Sequence, residues 1–313
     1  MAAARPIPAA QADASGGVIT DLGSVSPLVV AAMERTPDPR LREIMAAFVR
    51  HMHAFAREVR LTEREFETGV DFLNRIGQAT NDTHNEGILF SDSIGFSTLV
   101  CLLNNGRGGA TETAAALLGP FWRMNSPRTE NGGSIVRSET PGPALFARCR
   151  ILDPQGRPLE GVTVDVWQAS PVGLYENQDD TQADMNLRGQ FTTDPDGCFS
   201  FRSVKPAGYP VPTHGPVGEL LRAQGRHPYR PAHLHVLAFK PGYRTLITQV
   251  FVDDDEHLRT DVVFGVTEHL IGDFRRVDDR DPPQPDMGRP WYALDYTFVM
   301  EPGESVLPRP PIK

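Results

Sequence analysis

Cysteine is scarce in this chain. Only Cys101, Cys149 and Cys198 are present, an odd number spread over about a hundred residues. They make no disulfide framework, and their spacing is wrong for a zinc ribbon, so a reducing cytoplasm is the expected setting. Positive charge is also in short supply. Lys and Arg number 31 against 40 Asp and Glu, a net charge of −9 with histidines neutral. No basic face marks a nucleic-acid partner. No apolar run reaches the ~18 residues of a membrane span. The first twenty residues, rich in Ala and Pro, lack an apolar core followed by a cleavage site and read as a flexible tail, not a signal peptide.

Glycine and proline are plentiful, 28 of each in 313 residues. That excess is too small for a low-complexity chain, but it argues against an all-helical bundle because both residues break helices. It is also uneven. Residues 1–130 hold 7 Pro and 11 Gly, and residues 131–313 hold 21 Pro and 17 Gly. Two regimes follow. In the first, Asp38-Pro39 is a helix start, with Leu41, Ile44, Met45, Phe48, Met52, Phe55 and Val59 at helical spacing. Thr62 and Glu65 form a capping box for a second helix that Gly77 is expected to end. A third apolar segment runs from Ile88 to Leu103, closed by Asn104-Asn105-Gly106. Single layers of helix bury little by themselves, so part of their partner surface is expected to be another subunit.

The second regime alternates with period two. Leu145–Leu152, Gly161–Trp167, His233–Phe239, Thr245–Val252 and Tyr292–Phe298 read as strands. Phe191–Thr193 and Phe199–Phe201, either side of Asp194-Pro-Asp-Gly197, read as a hairpin. The expected fold is therefore α+β: a tail over 1–24, a helical region over 25–125 and a β-sandwich over 126–313.

Arg230-Pro-Ala-His-Leu-His235 carries most of the chemistry. On a strand, His233 and His235 point to the same face, a natural metal pair. The pair alone is a weak signal, since two solvated polar side chains look the same. Zinc or ferrous sites want a further His, Cys or carboxylate, and none follows here. What the chain offers is tyrosine, six in all, two of them in glycine-flanked settings: Gly173-Leu-Tyr175 and Gly208-Tyr209-Pro. Two phenolates with two neutral imidazoles are a hard, anionic donor set suited to Fe(III).

Leu118-Gly-Pro-Phe-Trp122, Val164-Asp-Val-Trp-Gln168 with Gly173-Leu-Tyr175, Gly208-Tyr-Pro, Arg226-His-Pro-Tyr-Arg-Pro-Ala-His-Leu-His235 and Gln249 resemble the intradiol ring-cleavage dioxygenases in order and spacing. The similarity is greatest to the hydroxyquinol and catechol 1,2-dioxygenase branch and covers most of the chain. It implies a non-haem Fe(III) held by Tyr175, Tyr209, His233 and His235, with no organic cofactor. Arg230 would place a permanent positive charge over the substrate ring, Gln249 would orient the substrate, and Tyr209 would act as base as well as ligand. Gln168 departs from the family pattern, where many relatives have His, but that position is not a ligand.

The resemblance also implies pocket walls: Leu89 and Asp92 from the helical region, Leu117, Leu118, Gly119 and Pro120, Val211 and Pro212, and Val263. Asp92 would accept a hydrogen bond from a third ring hydroxyl, although a helix-capping aspartate explains it too. With the insert Gln182–Gly189, it favours benzene-1,2,4-triol, giving maleylacetate, over catechol or a chlorocatechol, giving a cis,cis-muconate. The implied partners are a small aromatic diol or triol and O2, a second copy through the N-terminal helices, and a phospholipid at that interface. A non-catalytic sandwich module that binds ligands is the alternative of a different class; it would have no reason to carry four iron donors and Arg230.

Overall fold

The computed structural model describes residues 17–81, 84–104 and 113–310. Residues 1–16 of the expected tail over 1–24, the helix stop at Asn105-Gly106 and the last three residues lie outside them. The chain divides into two compact units, 1–72 and 73–313.

The first unit is helical. α1 (Val25–Met33) was not singled out by periodicity. It packs on α2 (Pro39–Glu58), where Ser26 Oγ lies 2.9 Å from His53 Nδ1 and accepts from Arg57 Nη2 at 2.5 Å. Asp38 caps α2 as expected, accepting from the amides of Arg40 and Leu41 with Pro39 in the first turn. Along α2, Leu41, Ile44, Phe48, Met52 and Phe55 stay exposed. α3 (Glu63–Ala79), whose residues from 73 on belong to the second unit, begins at the Thr62–Glu65 capping box, in which Glu65 accepts from the Thr62 amide at 2.9 Å and Thr62 Oγ accepts from the Glu65 amide at 3.3 Å. The helix continues past Gly77, which has no left-handed backbone to end it.

In the second unit the apolar segment 88–103 is two helices, not one. α4 (Glu86–Ser93) and α5 (Phe96–Asn104) are separated by Gly95 at φ +71°, a conformation glycine adopts without strain. A further helix that the sequence pattern did not reveal, α6 (Pro216–Ala223), has its first turn satisfied from outside: the buried Glu86 accepts from the Val217 amide at 2.8 Å.

Two five-stranded sheets follow. One holds, in order, β1 (Gly133–Ser134), β5 (Cys198–Val204), β2 (Ala144–Leu152), β12 (Trp291–Val299) and β11 (Phe274–Val277). The other holds β10 (Ile271–Gly272), β9 (Leu246–Val252), β8 (His233–Phe239), β3 (Thr163–Trp167) and β4 (Arg188–Thr192), and a small ribbon pairs β6 (Tyr209–Pro210) with β7 (Tyr229–Arg230). Alternation decides which side chains are buried between the sheets. Leu145, Ala147, Cys149, Ile151, Phe199, Phe201, Leu294 and Phe298 from the first sheet meet Val164, Val166, Phe191, Leu234, Val236, Ala238, Val250 and Val252 from the second.

The expected hairpin is a correction. The turn at Asp194–Gly197 exists, with the Gly197 amide donating to the Asp194 carbonyl at 2.9 Å. Its flanking strands β4 and β5, however, lie in different sheets. Phe191 meets Phe199 and Phe201 across the core, with ring centroids 6.0 and 5.5 Å apart and planes tilted by 31°. Burying all three rings favours a crossing over a ladder. No disulfide joins the cysteines, and no single helix among the described residues is long and apolar enough to cross a membrane.

Candidate active site

The same alternation that fills the core turns the remaining side chains to the opposite face of the second sheet, where most are buried too. On β8, Leu234, Val236 and Ala238 face inward, so His233 and His235 face outward. Registers then set one row across four strands. Gln249 on β9 pairs with His235 on β8, His235 with Trp167 on β3, and Trp167 with Arg188 on β4. Trp167 stacks on His235, centroids 4.6 Å apart and planes 5° from parallel.

Two loops bring tyrosines to this row. Tyr175 follows the turn closed by the Gly173 amide on the Ser170 carbonyl, and Tyr209 opens β6. Gly173 sits at φ +81°, and a Cβ there would lie 3.1 Å from Tyr209 Cβ. Only glycine allows the two tyrosine segments this approach. Tyr175 Oη is 3.4 Å from Tyr209 Oη and 3.0 Å from His235 Nε2, and His235 Nε2 is 3.0 Å from His233 Nε2. All four residues are buried. The four predicted donors thus converge from four points 34, 24 and 2 positions apart in sequence.

Burial, reinforced by the Arg230 charge, pulls the His233 pKa down to about 3. Burial and then neighbouring His233 and Arg230 hold His235 well below its ordinary value. Both imidazoles are therefore neutral donors. His233 Nδ1 lies 2.8 Å from the Pro231 carbonyl, which can only accept, so Nδ1 carries the proton and Nε2 presents its lone pair to the cluster. Burial, and then Tyr209, push the Tyr175 hydroxyl up, with Arg230 and Arg188 opposing. Two buried phenol oxygens this close resist ionising together unless a cation lies between them. Two neutral nitrogens and two ionisable oxygens fit a trivalent iron. Among the described residues, no group of three His, Cys, Asp or Glu offers a rival metal site.

Arg230, 5% exposed, closes one side. Its Nη1 is 3.3 Å from His233 Nε2, and its Nη2 donates to Gln249 Oε1 at 3.0 Å. Asp261, which the sequence reading missed, accepts from Arg230 Nε and Nη2, both at 3.3 Å. The amides of Gly265 and Val263 also donate to it, at 2.9 and 3.3 Å. Burial alone would raise the Asp261 pKa, but Arg230 and these amides lower it. Likewise burial opposes the Arg230 charge, and Asp261 and the tyrosines outweigh it. Gln249 is held by its own donation to the Leu117 carbonyl at 2.8 Å. Gln168 is buried away from the donors, accepting from Ser203 Oγ at 2.7 Å and donating to the Val204 carbonyl at 3.0 Å.

The expected walls fall in two groups. Leu89, Val211 and Val263 form one apolar cluster with Val217, Leu221 and Val262, and Leu117 packs against it. Leu118 packs instead with Trp122, Trp167, Tyr175 and Tyr209. Gly119, at φ +73°, passes so close that a Cβ would lie 3.4 Å from His235 Cε1. Pro120 is exposed and Pro212 half-buried. Asp92 is half-buried; burial raises its pKa, a Ser97 hydrogen bond lowers it, and it feels the charges of Arg230 and Asp261.

A second ionic group unforeseen from the sequence lies behind Tyr175. Arg188 Nε donates to Glu176 Oε1 at 2.7 Å, with both side chains 1% exposed. Arg123 Nη1 reaches the same oxygen at 2.8 Å and exposed Asp184 at 2.7 Å.

Comparison with known proteins places these features in context. The family model described as "Dioxygenase" matches residues 117–302, and that described as "Catechol dioxygenase N terminus" matches 38–111. The chain is 44% identical over 277 residues to a hydroxyquinol 1,2-dioxygenase of Rhizobium sp. (strain MTP-10005), covering 87% of this chain and 92% of the relative. It is 41% identical over 270 residues to a catechol 1,2-dioxygenase of Candida albicans, covering 86% and 88%. A crystal structure of hydroxyquinol 1,2-dioxygenase from Pseudomonas putida DLL-E4 superposes with a TM-score of 0.84 at 39% identity, covering 90% of this chain and 99% of that one.

Proposed function

The chain belongs to the intradiol ring-cleavage dioxygenases, and on that premise we propose that its substrate is benzene-1,2,4-triol, opened by O2 between the two adjacent hydroxylated carbons to give maleylacetate. One observation carries the choice of a triol. Asp92 brings a half-buried carboxyl into the neighbourhood of Arg230 and Asp261, among otherwise apolar walls. A third ring hydroxyl is a natural further partner for this carboxyl beside its Ser97 hydrogen bond, and catechol offers it none. The similarity to hydroxyquinol dioxygenases supports the same reading.

In this proposal Tyr175, Tyr209, His233 and His235 hold a non-haem Fe(III). When bound, the metal supplies Lewis acidity and a template for two adjacent substrate oxygens. The rest is the work of the chain. Tyr209 Oη accepts a proton from a substrate hydroxyl. Arg230, fixed by Asp261 and Gln249, holds positive charge where the ring becomes electron-rich. Gln249 orients the ring from the neighbouring strand. Leu89, Leu117, Val211 and Val263 exclude water, and Leu118, Gly119, Pro120 and Pro212 complete the wall.

The exposed apolar stripe of α2 supports the proposed dimer through the helical region, with a phospholipid in that apolar surface. The experiment that tests substrate choice compares kcat/KM for the triol, catechol, 4-chlorocatechol and protocatechuate. The triol is expected to lead, and equal or better turnover of catechol overturns the assignment in favour of catechol 1,2-cleavage to cis,cis-muconate.

A further inference from the structure

We propose that the buried pair Arg188–Glu176 is a positioning device for two of the iron donors at once, Tyr175 through the adjoining peptide and His235 through the Trp167 ring. The inference rests on the donor set proposed above and concerns residues behind it. Arg188 is fully buried although it opens β4, the last strand of its sheet, and a buried charged side chain is retained only with partners. Its partner Glu176 is the residue next to Tyr175, in the short 3-10 turn Glu176–Gln178. That turn begins at Tyr175, whose amide donates to Gln178 Oε1 at 3.1 Å. The Arg188 bond to Glu176 therefore ties the start of this turn to β4.

The second route runs along the sheet. Arg188 is the register partner of Trp167, and Trp167 is the register partner of His235, on which it stacks. Phe121 stacks on Tyr175 with centroids 4.3 Å apart, so the Tyr175 and His235 rings each have one aromatic face held. Arg188 stands where the two supports meet.

The hydrogen bonding around the pair is incomplete. Arg188 Nη1 and Nη2, Glu176 Oε2 and Trp167 Nε1 are buried without a protein partner. Buried polar atoms are nearly always satisfied, and a cluster of unpaired donors beside an unpaired acceptor is what internal water bridges. A merely structural ion pair would be simpler to replace by apolar side chains of the same volume. Retention of a buried, incompletely hydrogen-bonded charge pair one residue from Tyr175 is explained by the precision it gives the donors.

The test uses full-length protein and three variants: Arg188→Met, Glu176→Gln and Arg188→Lys. Three quantities are read for each: the melting temperature of the iron-free protein, the Fe(III) dissociation constant, and the position and intensity of the visible tyrosinate-to-iron absorption. Loss of a partner that orients a metal ligand typically weakens binding about 10–100-fold. Arg188→Met and Glu176→Gln are expected to show that loss with a shifted or weakened band, and Arg188→Lys to recover part of it. Should Arg188→Met not fold, Glu176→Gln decides alone, since it keeps the side chain's shape and removes the charge paired with Arg188. Wild-type iron affinity and an unaltered band in the folded variants overturn the inference, whatever their melting temperature. A wild-type protein that takes up no iron and shows no band overturns the donor set, and this inference with it.

Discussion

Replacing Asp261 by asparagine tests how Arg230 is held. The carboxylate accepts four hydrogen bonds, two from Arg230 and one each from the amides of Gly265 and Val263. Asparagine keeps one acceptor oxygen and turns an NH2 group toward donors. It also leaves the Arg230 charge, 5% exposed, without a counterion. Breaking a buried pair from one side costs about 3–5 kcal/mol. The retained hydrogen bond to Gln249 and partial hydration place the expectation near the lower end, about 3 kcal/mol. The assay is urea denaturation of wild type, Asp261→Asn, Arg230→Met and the double variant. The double variant should be less destabilised than the sum of the singles, because removing both charges leaves none uncompensated. Turnover of Asp261→Asn should fall about 100-fold, as expected when a catalytic group is misplaced by an ångström. The sign with pH is fixed by the lowered Asp261 pKa. Its contribution is complete above the unfolded carboxyl value of ~3.9 and disappears as pH falls through the lower folded value. The wild-type advantage over Asp261→Asn should therefore persist at pH 5 and shrink only in stronger acid. Wild-type stability and kcat/KM within twofold for Asp261→Asn would refute the reasoning.

Four further outcomes are expected. Tyr209→Phe should abolish most turnover and change the visible absorption; unchanged turnover removes its assignment as ligand and base. Asp92→Ala should lower the triol-to-catechol ratio of kcat/KM by about tenfold, the size of one lost hydrogen bond to a charged group, and an unaltered ratio excludes Asp92 from substrate choice. Gly173→Ala forces a Cβ onto a left-handed backbone 3.1 Å from Tyr209 Cβ and should destabilise by about 1–2 kcal/mol, read as a lower melting temperature with reduced iron content. Treatment with an iron chelator should remove activity and absorption together, and ferric or ferrous iron with air should restore both; activity that survives complete removal contradicts the proposed cofactor.

The site was legible where chemistry and periodicity coincide. His233 and His235 announce a shared strand face, and glycine-flanked Tyr175 and Tyr209 stand out because tyrosine is rare. Resemblance joined them to Arg230 and Gln249, which the structure brings within hydrogen-bonding distance of one another. Asp261 and Glu176 were not legible. Each is one carboxylate among 40 acidic residues, with its partner 31 or 12 positions away, and no local pattern connects them. The fold shows the same division. Caps at Asp38 and Thr62 are local and were read correctly. The break at Gly95 was missed because apolar spacing runs straight through it. The turn at Asp194–Gly197 was found, but not that its strands separate, since that depends on where the rings of Phe191, Phe199 and Phe201 meet.

One pairing bears on how the molecule comes into being. β2 and β12 run parallel, joined from Ala144–Trp291 to Leu152–Val299. They are the first long strand of the sandwich and its last, so their ladder closes a loop containing nearly every other strand and all four donors. Long-range contacts of this kind form late because the chain between their ends must first be confined. During synthesis the first sheet stays open at β2 until the final strand leaves the ribosome. Its exposed strand edge and the Phe199 and Phe201 rings then need protection from neighbouring chains. Shortening the chain before Val299 should therefore yield insoluble protein, not a smaller working enzyme.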